Sequence, residues 1–166
     1  MRQFIHEFKY HDMPGLDSLL VKFLAQGLPP GLEFDLVVPV PMHWWKHYLR
    51  TYNPASRLAR KLARRLGLAY ASPLRKVKNT APQAQLNGRQ RRRNLKDAFA
   101  VRRPARVAGK KILLVDDVFT TGTTVNACAR ALKQAGAQYV AVLALARTDR
   151  RSRSGPEAAL AVSQFA

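Results

Sequence analysis

The stretch LLVDDVFTTGTT, residues 113–124, decides how the rest of the chain is read. Preceded by Lys110, Lys111 and Ile112, its first part is a short apolar run of the kind that fills a buried strand. Asp116 and Asp117 follow where such a strand leaves the sheet. Thr120, Thr121, Gly122, Thr123 and Thr124 then form a turn, and VNACARALKQAG has the spacing of an amphipathic helix ending at Gly136. A helix N-terminus presents free backbone N–H groups and a positive dipole end. Four hydroxyls around one permissive glycine add donors, which together make the parts of a phosphate cradle. The pattern is neither GxxxxGK[ST] nor GxGxxG. Two carboxylates just before the cradle suit a ligand with hydroxyls at one end and phosphate at the other, as in a ribose 5-phosphate. The plainer alternative is that the acids cap the turn and the threonines only build it.

Outward from this segment, strands alternate with helices. FDLVVPV (residues 34–40) reads as a buried strand entering a rigid loop at Pro39, Val40 and Pro41, and YVAVLALA (139–146) as another buried strand. Leu16, Leu19, Leu20, Phe23 and Leu24 recur at helical spacing before Gly27. Asn53 and Pro54 supply an N-cap and a proline at the first helical position. Leu58, Leu62 and Leu66 then form a stripe surrounded by Arg57, Arg60, Lys61, Arg64 and Arg65, up to Gly67. From Arg75 to Leu95 the periodicity fails, which predicts a long loop or hairpin. The closing residues 157–166 can add a helix or a strand. The predicted class is α/β with a mostly parallel sheet.

With 166 residues, 47% of them hydrophobic, the chain suits one compact domain. Its charge is extreme, 29 Lys and Arg against 10 Asp and Glu, or +19. Residues 43–103 hold 17 of the basic side chains and one acid, Asp97, so the field is local. Such a field attracts polyanions. One cysteine, Cys128, excludes an internal disulfide and a multi-cysteine zinc site within these residues, and it sits among alanines as a small core residue would. His43 and His47 are four apart but lack the glutamate of HExxH. No run approaches the ~20 apolar residues of a membrane span, and the start has no apolar signal core, so no membrane insertion and a cytoplasmic location are expected.

LLVDDVFTTGTT resembles the phosphoribosyl-pyrophosphate (PRPP) signature of type I phosphoribosyltransferases. FKYHD (8–12), VPVPM (38–42), RTYN (50–53), TAPQAQL (80–86), RQRRRNLKDAF (89–99) and LALAR (143–147) are similar to pieces of the ComF/GntX branch, the competence protein F-like proteins, in family order. The resemblance implies one domain over residues 1–166, with an N-terminal helix at 13–27, a flexible hood at about 75–99 and a PRPP-binding strand–loop–helix at 111–136. By that resemblance Asp116 and Asp117 contact the ribose hydroxyls, Thr120, Thr121, Gly122, Thr123 and Thr124 hold the 5′-phosphate, and Val118 is a further substrate-binding residue. Pro39 and Val40 face pyrophosphate, and Arg50, Arg75, Lys76 and Arg89 are candidates to stabilise it as it leaves. Mg²⁺ is implied as cofactor, held through substrate oxygens with few protein ligands. The implied reaction transfers phosphoribosyl from Mg-PRPP to a nitrogen acceptor that the sequence does not identify.

Two features depart from the family. Its members carry a four-cysteine zinc module upstream of the FKY segment. Its RGFNQ pattern stands here as Arg50-Thr51-Tyr52-Asn53-Pro54. Arg91, Arg92, Arg93 and Lys96 read either as a solvated basic face, as part of a phosphate clamp, or as a track for a nucleic-acid backbone. Trp44, Trp45, Tyr48 and Tyr52 are rings that either pack the loop or stack on bases. The competence resemblance brings single-stranded DNA and the competence machinery in as partners, and it leaves a homodimer open. The non-catalytic alternative is a single-stranded DNA-binding competence protein that keeps a PRPP or nucleotide-sensing site.

Overall fold

The computed structural model describes residues 15–42, 53–77, 98–119, 122–147 and 163–165. Five strands form one sheet in the order β2-β1-β5-β6-β7. They are β1 (Leu36–Pro39), β2 (Ala69–Tyr70), β5 (Lys111–Phe119), β6 (Tyr139–Arg147) and β7 (Ser163–Phe165). The first four are mutually parallel, and β7 lies antiparallel against β6 with Val142 opposite Ser163. A separate antiparallel pair joins β3 (Leu74–Lys76) to β4 (Phe99–Val101). The helices are α1 (Leu16–Gln26), α2 (Pro54–Leu66) and α3 (Thr123–Gln134). The expected mostly parallel sheet flanked by helices is the observed one.

Side-chain alternation divides the core into two layers. Leu36, Val38, Ile112, Leu114, Val140 and Val142 face one way, against Val125, Cys128, Ala129 and Leu132 of α3 and against Leu74 and Phe99 of the small pair. Val37, Leu113, Val115, Ala141 and Leu143 face the other way, against Leu20, Val21 and Leu24 of α1 and Leu58, Ala59, Leu62 and Ala63 of α2. Strands buried on both faces need near-continuous apolar runs, which is why these segments lack a polar alternate.

The α1 stripe is narrower than its sequence spacing predicts. Leu20, Val21 and Leu24 are buried, whereas Leu19 and Phe23 are about half exposed and point away from the sheet. The polar side of α1 is instead tied to α2. Asp17, 1% exposed, accepts from Arg57 Nε at 2.5 Å and from Lys61 Nζ at 2.6 Å.

The direction of the two crossovers creates the crevice. β1 connects through α2 to β2 on its outer side, while β5 connects through α3 to β6 on the opposite side. Right-handed crossovers running in opposite directions put α2 and α3 on opposite faces. The strand order therefore reverses between β1 and β5. In open α/β sheets ligands bind beyond the strand C-termini at such a switch point.

Candidate functional site

β1 stops at Pro39, opposite Val115, but β5 continues to Phe119. The strand is thus longer than expected, and Asp116 and Asp117 lie inside it rather than after it. Past Val115 only β6 pairs with β5 among the described strands, through Asp116–Ala144 and Val118–Ala146. The carboxylates thus stand on the part of β5 that β1 does not reach. Both acids are half-buried.

Alternation places Asp116 in line with Ile112 and Leu114 towards α3, and Asp117 in line with Leu113 and Val115. Asp116 Oδ1 accepts the N–H of Asp117 at 2.9 Å, a local bond that the capping alternative also allows. Asp116 also acts on α3. Burial, and secondly the Asp116 charge, hold the Cys128 thiol well above its ordinary pKa, so it stays protonated as a core group.

Gly122 makes the turn into α3. It has φ 69°, a left-handed conformation that glycine adopts without the Cβ penalty, and it is the helix N-cap. As a glycine it supplies no side-chain cap of its own. Asn126 N–H donates to Gly122 O at 2.8 Å, so the helical ladder begins at once. Thr123 and Thr124 are half-buried in its first turn, two residues earlier than the sequence pattern predicts. The N-terminal end of α3, the positive end of its dipole, therefore faces the end of β5.

The opposite wall is the exit of β1. Val40 N–H donates to Val115 O at 2.8 Å, and Val40 O accepts from Asn53 Nδ2 at 3.1 Å. Asn53 Oδ1 accepts from Ala55 N–H at 3.1 Å and so caps α2, with Pro54 in the first turn, as its sequence predicts. One asparagine thereby ties the loop after β1 to the start of α2. Its reach back to Val40 is not visible in the sequence.

Pro39, Val40, Asp116, Asp117, the backbone of Val118, Gly122, Thr123 and Thr124 all lie around this switch point. Arg75 and Lys76 stand apart, on β3. Lys76 pairs with Phe99, and Val77 N–H donates to Ala98 O at 2.8 Å, which closes the two ends of the predicted hood into a hairpin base. Arg75 is exposed, and burial holds the half-buried Lys76 ammonium below its usual pKa. Arg50, Arg89, Arg91, Arg92, Arg93, Lys96, Thr120 and Thr121 lie outside the described residues, as do the four histidines. Among the described residues no group of three or more His, Cys, Asp or Glu side chains could hold a metal, and no helix is long and apolar enough to cross a membrane.

The phosphoribosyl transferase domain family matches residues 53–165. DNA utilization protein YhgH of Salmonella typhimurium is 36% identical over 151 residues, which cover 87% of this chain and 66% of that protein. Competence protein F of Haemophilus influenzae is 30% identical over 151 residues, covering 86% of this chain and 66% of that protein. The chain thus spans about two thirds of the length of these relatives. Among solved structures, glutamine PRPP amidotransferase from B. subtilis aligns with a TM-score of 0.56 at 24% identity, over 84% of this chain and 30% of that one. Adenine phosphoribosyltransferase from Thermoanaerobacter pseudethanolicus aligns at 0.55 and 21%, over 80% and 68%. At these identities the structures speak for the fold. With its sheet order, its two-faced core and this match, the chain belongs to the phosphoribosyl transferase domain family, with relatives among the competence protein F-like proteins.

Proposed function

We propose that the crevice between β1 and β5 binds PRPP with Mg²⁺ and transfers its phosphoribosyl group to a nitrogen nucleophile. The observation that carries this is the N-terminus of α3, entered through the left-handed Gly122, beside two adjacent carboxylates on the part of β5 that β1 does not reach. Asp116 and Asp117 accept hydrogen bonds from the ribose hydroxyls and favour positive charge developing on the ring. The turn at 120–124 and the first N–H groups of α3 hold the 5′-phosphate. The loop at Pro39 and Val40, fixed by Val115 and Asn53, borders the pyrophosphate. The bond from ribose C1 to the pyrophosphate oxygen breaks with its electron pair leaving on pyrophosphate. The nitrogen lone pair forms the new C1–N bond, and the nitrogen then loses a proton. The described residues fit a magnesium ion held mainly by substrate oxygens, which when bound would offset charge on the leaving group.

The test is pyrophosphate release from PRPP and Mg²⁺ with ammonia or a panel of purine and pyrimidine bases. Release that Asp117→Asn abolishes, with the fold intact by circular dichroism, supports transfer. No release with any acceptor removes the catalytic half of the reading.

A second reading has its own observation. The outer face of α2 exposes Arg60, Arg64 and Arg65, within the segment that carries most of the net charge. Relatives are named for DNA utilization and competence. On this reading single-stranded DNA follows the basic surface, its affinity falling steeply with salt and on loss of Arg91, Arg92 and Arg93.

A further inference from the structure

A cavity of about 480 Å³ opens between Ala71, Ser72 and Pro73, after β2, and Arg102, Arg103 and Arg106, after β4. None of these residues belongs to the switch-point crevice, and β2 is the sheet edge, separated from β5 by β1. We propose that this cavity is a second anion site, which takes a small ligand bearing a diphosphate group.

Three observations carry it. Arg102, Arg103 and Arg106, all exposed, line one cavity, and none of them is paired with a carboxylate among the described residues. Three like charges within five residues of one loop make a local positive field that draws an anion. The loop that presents them is fixed rather than loose. Arg102 N–H donates to Pro73 O at 2.7 Å, Arg106 N–H to Arg103 O at 3.0 Å, and Val107 is fully buried.

Arg103 has φ 57°, making it the one non-glycine residue in left-handed conformation among the described residues, and it precedes Pro104. Such a conformation is unfavourable for arginine and persists only where its surroundings impose it. Guanidinium forks match phosphate oxygens bidentately, and three of them exceed what one phosphate group needs. The volume is that of a small-molecule site rather than of an extended polymer track.

The experiment is a titration of the full chain with inorganic pyrophosphate at about 0.15 M salt, where long-range surface attraction is screened. It is followed by backbone amide chemical shifts, with a parallel arm using a single-stranded oligonucleotide. The expected result is saturable shifts at Ala71, Ser72, Arg102, Arg103 and Arg106. Arg102→Ala/Arg106→Ala weakens that binding about tenfold or more, the loss of about 1.4 kcal/mol or more, with the melting temperature retained. Shifts at Gly122 and Thr123 report the other site separately and persist in that variant. The proposal is overturned by unchanged affinity in the double variant, by shifts confined to the α3 turn, or by amides that move only with the oligonucleotide.

Discussion

Two strands leave this sheet side by side, and the described residues at their exits lead into the next helix in different ways. After β1, Asn53 caps α2 and holds Val40 O, and Pro54 removes one orphan donor. The described ends of that connection are thus tied to each other through one side chain. After β5, the left-handed Gly122 is the N-cap of α3, beside two carboxylates on the part of β5 that β1 does not reach. Helix starts within a fold are normally satisfied by side chains, water or ligands. On the proposed reading the first exit is a wall of the crevice and the second is where the ligand's phosphate sits.

Substitutions at the two turns can break that contrast. Asn53→Ala removes the cap and strands a buried carbonyl, so unfolding free energy should fall by about 2 kcal/mol. Asn53→Asp keeps the acceptor and loses only the tie to Val40, so denaturant titration should find it between wild type and Asn53→Ala. Equal losses would mean that the Val40 bond contributes nothing.

Gly122→Ala forces a Cβ into left-handed backbone and should cost about 1 kcal/mol, a smaller stability effect than Asn53→Ala. Its effect on PRPP affinity should be the larger of the two. The reverse order for affinity would relocate the site to the β1 exit.

A third, smaller effect sharpens how Asp116 is placed. The Cys128 thiol is raised by burial and by Asp116, whereas in the unfolded chain it ionises near its ordinary value of 9.0. Below that pH both states are protonated and nothing changes. Above it the unfolded state alone loses the proton, so wild-type stability falls with rising pH. Cys128→Ala costs about 1 kcal/mol near neutrality through lost packing, and its deficit against wild type should shrink above pH 9. A deficit constant to pH 10.5 would contradict the assignment.

Local chemistry explains which parts of this were legible beforehand. The apolar run into Asp116, the Asn53–Pro54 cap and the left-handed Gly122 are each written within a few residues. Arrangements that join distant segments were not. Arg102, Arg103 and Arg106 meet Ser72 across some thirty residues, and only folding shows that they line one cavity. β3 and β4 have three residues each, too short for a period to register. Leu19 and Phe23 share helical spacing with the core leucines but lie outside the stripe that α1 buries. The length of β5 depends on its partner, since β6 supports Asp116–Phe119 where β1 has already ended.

The most direct test is calorimetric titration of Mg-PRPP at about 0.15 M salt in the Arg102→Ala/Arg106→Ala background, which removes the second anion site, with and without Asp116→Asn/Asp117→Asn and with pyrophosphate as the polyanion control. The account predicts saturable binding of PRPP that Asp116→Asn/Asp117→Asn weakens by about a hundredfold or more, as two charged hydrogen-bond acceptors are lost, with pyrophosphate binding little changed. PRPP binding that survives the substitution and matches that of pyrophosphate would contradict it.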